Sequence, residues 1–276
     1  MEENRSTFPE DAATFLQSKQ RNGIVGFEKV EKYPVYVEPF HVDFTGCIFL
    51  GILGNHLLNA AGNHSQKRGW GIGALNETHH TWVLSRLSIE MTEMPRQHEH
   101  VEVRTWVESV MKLFTNRNFS ILRPDGTPLG YARSVWAMID METRKPCDLL
   151  TLYDGDILNY VVSPEENICP IEGHGRFRFR NPELVRTIDT YYSDVDINGH
   201  INSIKYIEHI LDLFPRQRFE RQSIRRFEIA YKAEAYMGDR LSFYTQLPEQ
   251  DNNDSIEVEV HKNGEDIVCQ ARVLFQ

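Results

Sequence analysis

The chain carries the same turn-and-helix pattern twice. Asp43-Phe-Thr-Gly46 aligns with Asp196-Ile-Asn-Gly199, and in each copy a histidine follows 13 residues after the aspartate. Downstream of each copy, strand-like alternating runs end in a long hairpin that turns at Asp125-Gly126 or at Asn263-Gly264. A helix followed by antiparallel strands therefore occurs twice, which indicates a tandem duplication and an α+β fold.

Polar residues with catalytic potential stand in the second copy, where Asp196, Asn198 and His200 precede an amphipathic run. An extended lead-in would place these three side chains on one side of the backbone, next to the start of a helix. The N–H groups at residues 201 to 203 would then suit a developing oxyanion. An ordinary Asn-Gly turn followed by a helix cap remains the alternative interpretation. The helical stripe consists of Ile204, Ile207, Leu211 and Phe214.

Two blocks of the sequence resemble a known family. SDVDINGHINSIKYIEHIL, which begins at Ser193, is similar to the DVNxHVNNxKYIxW signature of plant plastidial acyl-ACP thioesterases and their bacterial relatives. TWVLSRLSIEMTEMPRQHEHVEVRTWVESV, residues 81 to 110, is similar to the strands in the first half of that family. The resemblance extends from Tyr36 to Phe275.

The resemblance implies a tandem hot-dog fold, in which each half is a central helix wrapped by a curved antiparallel sheet. It also implies hydrolysis of fatty acyl-ACP thioesters to free fatty acid and holo-ACP, the step that terminates fatty acid synthesis. The partner would be acyl carrier protein carrying a fatty acyl-phosphopantetheine. An acyl-CoA thioesterase, a hot-dog dehydratase and a non-catalytic acyl-binding module are the alternatives, because all of them bind acyl thioesters.

A carboxylate completes the predicted catalytic group. Glu234 matches a glutamate that the family places in its second domain, although alternation alone would make it a solvated strand residue. We expect Glu234 to act as general base on water, while Asn198 and His200 orient the water or polarise the thioester and Asp196 fixes the imidazole tautomer. The exchanged assignment, His200 as base and Glu234 as orienting group, stays open. Many plant members have cysteine after this glutamate, but this chain has Ala235.

The first half is predicted to bind the acyl chain. Thr45 and Cys47 stand where the second half has an amide and an imidazole, so the first half should be catalytically silent. Gly51 and Gly54 interrupt its helix, either for close helix packing or to leave room for an acyl chain. Trp82 matches a family tryptophan and is either core or channel wall.

Four segments are expected along the chain. They are a polar N-terminal tail at 1–24, an N-terminal acyl-binding hot-dog domain at 25–160, a linker at 161–182 and a catalytic hot-dog domain at 183–276.

Charge suggests how the carrier binds. With 30 basic and 40 acidic residues the formal net charge is −10, which argues against nucleic acid as a partner. Acyl carrier proteins are acidic, so we expect a local basic patch to dock them, although a solvated charge run is the alternative. The candidates are Arg216, Arg218, Arg221, Arg225 and Arg226.

The remaining composition predicts a cytoplasmic protein without cofactors. No apolar run reaches the length of a membrane-spanning helix, and the N-terminal residues lack the apolar region of a signal peptide. Water is the only co-substrate, so no metal or organic cofactor is expected. A monomer and a homodimer are both compatible with the sequence. The cysteines are scattered without a CxxC pair, which predicts neither a zinc site, nor disulfides, nor a nucleophile; they are Cys47, Cys147, Cys169 and Cys269.

Overall fold

The computed structural model describes residues 28–163, 165–179, 181–245 and 255–276, so the expected tail at 1–24 lies outside the described residues. The first repeat comprises β1 (Glu31–Tyr36), α1 (Leu50–Gln66), α2 (Ile72–Asn76), β2 (His80–Met91), β3 (His100–Val110), β4 (Thr115–Leu122) and β5 (Pro128–Asp140). The second comprises β6 (Glu183–Asp189), α3 (Ser203–Leu211), α4 (Arg216–Arg221), β7 (Ile224–Tyr231), β8 (Arg240–Thr245), β9 (Ser255–Lys262) and β10 (Asp266–Phe275).

The ten strands of the described residues form one antiparallel sheet. Their order is β1-β3-β4-β5-β2-β7-β10-β9-β8-β6, so each repeat contributes five strands in the same relative order, and β2 pairs with β7 across the join. The expected duplication is thus visible in the topology. Both hairpin turns lie where the sequence places them, and Asn263 and Gly264 both have positive φ, as a type I′ turn requires.

The two long helices pack on one face of this sheet and on each other. Leu53 and Leu57 of α1 are fully buried, as are Ile204 and Ile207 of α3, in a cluster that contains residues from both repeats. A shared core of this kind makes the repeats one packing unit. Phe214, predicted as part of the helical stripe, lies beyond the end of α3.

The segment between the repeats covers the outer face of the sheet. The described residues between Tyr160 and Glu183 form no helix or strand beyond an isolated bridge. Cys169 and Ile171 are nevertheless buried, and they pack with Trp106 of β3. None of the helices in the described chain has the length and apolar content to span a membrane.

Candidate active site

The carboxylate of Asp196 organises the turn that precedes α3. Its Oδ1 accepts the N–H groups of Asn198, at 2.8 Å, and of His200, at 3.3 Å. The Asp196 N–H in turn donates to the His200 carbonyl at 2.8 Å. Gly199 has a φ of +81°, a conformation that glycine adopts without steric cost. The expected extended lead-in is therefore wrong, and these residues form a closed turn.

The imidazole of His200 faces the carboxylate of Glu234. His200 Nδ1 lies 3.5 Å from Glu234 Oε1, and the two side chains are 25% and 29% exposed. Glu234 is a loop residue rather than a strand residue, because β7 ends at Tyr231. An antiparallel bridge between His200 and Tyr236 brings this loop to the turn. Two residues that are distant in sequence are thereby placed in one site.

Tyr236 supports both members of this pair. Its phenol donates to Glu234 Oε2 at 3.3 Å, and its ring meets the His200 imidazole edge-on, with centroids 5.1 Å apart. Partial burial and the negative charge of Glu234 raise the pKa of Tyr236, so its hydroxyl stays protonated at neutral pH.

A cation from the first repeat also reaches the site. The Arg144 guanidinium forms an ion pair with Glu234 Oε1, although the two residues are 90 positions apart. Arg144 belongs to the turn after β5 and matches no sequence motif, so reasoning from the sequence missed it. Only the folded contact between repeats identifies it.

The structure corrects two of the predicted roles. The carboxylate that faces the imidazole belongs to Glu234, whereas Asp196 Oδ1 is bound by backbone N–H groups of its own turn. Among the expected oxyanion donors, the Ile201 N–H binds the Ala235 carbonyl and the Asn202 N–H binds the Asp194 carbonyl, both at 2.8 Å. Asn202 instead caps α3.

Ser203 is the remaining member of the expected donor group. It is the first residue of α3, where the backbone N–H has no partner within the helix. Asn202 Oδ1 accepts the next N–H, that of Ile204, at 2.9 Å. The Ser203 N–H therefore lies at the end of α3 that follows the Asp196 turn, where the helix dipole favours negative charge.

The first repeat contains the same turn, but it has different side chains at the positions of His200 and Glu234. Asp43 Oδ1 accepts the Thr45 N–H at 2.7 Å, as Asp196 accepts that of Asn198. Gly46 has a φ of +76°, close to that of its counterpart. The turn geometry was thus kept while its side chains changed.

Backbone bonds identify the counterpart of Glu234. The Ile48 N–H binds the Pro95 carbonyl just as the Ile201 N–H binds that of Ala235. Met94, which precedes Pro95, therefore occupies the equivalent position. With Cys47 in place of the imidazole and Met94 in place of Glu234, this half lacks both the imidazole and the carboxylate.

A cavity of about 480 Å³ is lined by residues of the turn before α3 and of the first repeat. Asp196, Asn198 and Ser203 belong to its lining, whereas His200 and Glu234 do not. The apolar part of the lining includes Leu58, Ala61, Trp82, Leu84 and Trp136. This volume is within the range of small-molecule sites, and its apolar wall suits a hydrocarbon chain.

Comparison with known proteins identifies the family. The sequence model of the acyl-ACP thioesterase N-terminal domain matches residues 28–153, and that of the acyl-ACP thioesterase C-terminal domain matches residues 181–276. The chain belongs to the acyl-ACP thioesterase family. The boundary between the two matched domains falls between the repeats.

Individual relatives agree with this assignment. The chain is similar to a crystal structure of an acyl-ACP thioesterase from Bacteroides thetaiotaomicron, with 51% identity, coverage of 90% of this chain and 98% of that one, and a TM-score of 0.83. It is 24% identical to an oleoyl-acyl carrier protein thioesterase of Coriandrum sativum, over 95% of this chain and 75% of that protein. The match to a palmitoyl-acyl carrier protein thioesterase of Arabidopsis thaliana, at 29% identity, covers 65% of this chain and 46% of that protein. The tandem hot-dog fold predicted from the resemblance is confirmed.

Gly51 and Gly54 have a packing role in this thioesterase. A Cβ on Gly51 would lie 2.8 Å from Glu208 Cγ, and one on Gly54 would lie 2.7 Å from Ile204 Cδ1. Both glycines therefore allow α1 to approach α3, and neither lines the cavity. Of the three residues expected to bind substrate, Trp82 alone lines the cavity, and it donates from Nε1 to the Trp70 carbonyl at 3.0 Å.

The five arginines of the predicted docking patch differ in their environments. Arg226 forms ion pairs at 2.6 Å with both Glu90 and Glu228, and its side chain is only 11% exposed, so it belongs to an internal network and not to a docking surface. The Arg218 guanidinium lies over the Phe275 ring, 4.5 Å from its centroid. The exposed members are Arg216, which pairs with Glu220, together with Arg221 and Arg225.

Three of the four cysteines lie in environments that disfavour the thiolate. All four are free thiols. Burial raises the pKa of Cys269 and of Cys169, and burial followed by the charge of Asp140 raises that of Cys147, so the reactive thiolate is disfavoured at these positions. Within the described residues, no cluster of three or more His, Cys, Asp or Glu side chains could hold a metal ion.

Proposed function

We propose that this acyl-ACP thioesterase hydrolyses fatty acyl-ACP at the turn before α3, with the acyl chain in the cavity of the first repeat. The observation that supports this most directly is the contact of His200 with Glu234, because His200 belongs to the same turn as Asp196 and Asn198, which line the cavity. The products would be a free fatty acid and holo-ACP. This hydrolysis would remove the fatty acyl chain from fatty acid synthesis.

We assign the base to His200 and the orienting role to Glu234, which is the exchanged form of the initial hypothesis. Glu234 already accepts Arg144 on Oε1 and Tyr236 on Oε2, so neither carboxylate oxygen is uncommitted. A His200 Nδ1–H directed at this carboxylate leaves Nε2 as the acceptor for a proton from water. Imidazole is also the side chain that titrates nearest to neutral pH, which suits a general base.

The reaction then follows from these positions. Water attacks the thioester carbon while His200 Nε2 takes its proton, and the negative charge develops on the carbonyl oxygen. The Ser203 N–H at the start of α3, together with the Asn198 amide, would stabilise that oxyanion; one such donor contributes about 10² to 10³ in rate. Collapse of the intermediate breaks the C–S bond, and the imidazolium returns the proton to the pantetheine thiolate.

Thiol release from three substrates tests this function. Purified protein should release free thiol from palmitoyl-ACP, with lower activity on palmitoyl-CoA and no dehydration of a hydroxyacyl-ACP. Formation of an enoyl product without free thiol would instead identify a dehydratase. Binding of palmitoyl-ACP with no thiol release would identify a non-catalytic acyl-binding module. A cytoplasmic location and a homodimer remain predictions that this assay does not address.

A further inference from the structure

The turn that carries Arg144 is held by several hydrogen bonds to Asp140. Asp140 Oδ1 accepts the N–H of Thr143 at 2.6 Å, the Thr143 hydroxyl at 2.8 Å and the N–H of Glu142 at 3.2 Å. The Arg144 N–H donates to the Asp140 carbonyl at 2.9 Å. Arg144 itself has a φ of +58°, a conformation that side chains other than glycine seldom adopt. The backbone is thus constrained at the residue that reaches into the other repeat.

The contact that this turn makes is with the carboxylate of the proposed site. Arg144 pairs with Glu234 Oε1, the same oxygen that lies 3.5 Å from His200 Nδ1, while Tyr236 holds Oε2. The carboxylate is therefore fixed at both oxygens and cannot rotate away from the imidazole without breaking a contact. Because the Arg144 side chain is 47% exposed, an ion pair of this kind adds little to folding stability. The ion pair instead restricts the orientation of the Glu234 carboxylate.

We propose that Arg144 is a positioning residue for catalysis, supplied by the repeat that has no site of its own. It holds Glu234 in the orientation that keeps the His200 Nδ1 proton directed at the carboxylate and Nε2 available to water. A guanidinium suits this task because it stays charged and presents several donors in a fixed plane. The inference rests on the proposed roles of His200 and Glu234.

Single variants test the role through kinetics. Arg144→Ala should lower kcat on palmitoyl-ACP by about 10- to 100-fold, with KM within about 3-fold of wild type, because orientation is lost while substrate contacts remain. Arg144→Lys should recover part of the loss. Added guanidinium ion should partly restore Arg144→Ala and leave wild type unchanged. The matched control is Arg123→Ala, which removes another exposed arginine–glutamate pair, at 2.6 Å from Glu93, and should retain wild-type kinetics.

A double variant separates positioning from other roles. If Arg144 acts only through Glu234, Arg144→Ala should change kcat by less than about 2-fold when Glu234 is already Gln. The same fold loss in both backgrounds would overturn the proposal. So would a rise in KM with kcat unchanged, since Arg144 would then bind substrate. Wild-type thiol release tests the proposed function separately, so an inactive wild type and an indifferent Arg144 variant are distinguishable failures.

Discussion

At the scale of single residues, the identity of the base can be tested through the pH dependence of hydrolysis. His200→Gln should lower kcat/KM by at least about 10² and remove the acidic limb of its pH profile, because the proton acceptor is gone. Glu234→Gln should also cost at least about 10² but keep an acidic limb, since the imidazole remains. The measurement is kcat/KM for palmitoyl-ACP from pH 5 to pH 9. An acidic limb that disappears in Glu234→Gln and persists in His200→Gln would return the base role to Glu234.

Combined variants provide a second check at this scale. The losses of Asn198→Ala and Glu234→Gln should be less than additive, because the two groups serve one transition state. Additive losses would assign them to separate steps.

The sequence could predict those site residues that lie close to one another along the chain. Asp196, Asn198 and His200 lie within five positions of one another, so the turn signal and the family signature brought them together. Arg144 could not be found in this way, because its partner is 90 positions distant and only strand pairing makes them neighbours. Asp196 lies in the predicted turn, but its carboxylate accepts backbone N–H groups and does not contact the imidazole, because spacing does not show which oxygen a backbone N–H will use.

At the scale of elements, the glycines of α1 lie in two different environments, and we expect substitutions in the two environments to have different effects. Gly62 lines the cavity, and a Cβ built on it meets no atom within 4 Å. Gly62→Leu should therefore fill part of the cavity and shift preference towards shorter acyl chains, while activity on a short acyl-ACP stays within a few fold of wild type. Rates on acyl-ACPs of several lengths provide the measurement.

The control for this prediction lies about three turns earlier in the same helix. Gly51→Val should instead push α1 away from Glu208 of α3, lowering the free energy of unfolding by about 1 to 3 kcal/mol and slowing all chain lengths alike. If Gly62→Leu slowed every substrate equally, the acyl chain would have to lie elsewhere. Sequence alone could not separate these glycines, because a glycine at a close helix contact and a glycine beside open space look the same in the sequence.

The docking patch also belongs to this scale, since it is centred on α4. Reversal of the exposed Arg221 and Arg225 to Glu should raise KM for acyl-ACP several-fold at low salt and spare acyl-CoA, because only the carrier is a large acidic partner. The effect should fade as salt screens the charges. Reversal of Lys112 and Arg123 gives the same change in net charge in the other repeat and should leave KM unchanged. Equal effects on both substrates would reject α4 as the docking site.

At the scale of the whole molecule, acid stability should depend on a partly buried carboxylate in β1, that of Glu31. Burial alone would raise the pKa of Glu31, but hydrogen bonds from Lys67 and Tyr33 and the charge of Arg68 outweigh it and lower the pKa to about 2. A carboxyl whose pKa is depressed by folding stabilises the protein above its unfolded value, near 4.5, and loses that contribution as the pH falls towards 2. The contribution at neutral pH is at most about 3 kcal/mol before solvent screening.

Denaturant unfolding of Glu31→Gln and wild type tests this expectation. The difference in unfolding free energy should be largest at pH 7 and should shrink steadily below about pH 4.5. Glu102→Gln removes a more exposed carboxylate, paired with Lys32 at 3.2 Å, and should have little effect at any pH. A Glu31→Gln difference that stays constant with pH would mean that packing, and not charge, accounts for the loss.

The equivalent strands β2 and β7 pair antiparallel about an approximate two-fold axis that relates the two repeats. Ser88 lies opposite Glu228, and these residues are 140 positions apart, as are Met94 and Glu234, so each strand meets its own counterpart. In an assembly of two identical chains, such an axis forces both copies to carry the same site. A covalent connection removes that constraint, because a substitution in one copy no longer appears in the other. The joined sheet thus preserves the backbone geometry of a symmetric dimer while the side chains of the two copies differ. One copy has Glu234, and the other, with Met94 at that position, provides most of the residues that line the cavity.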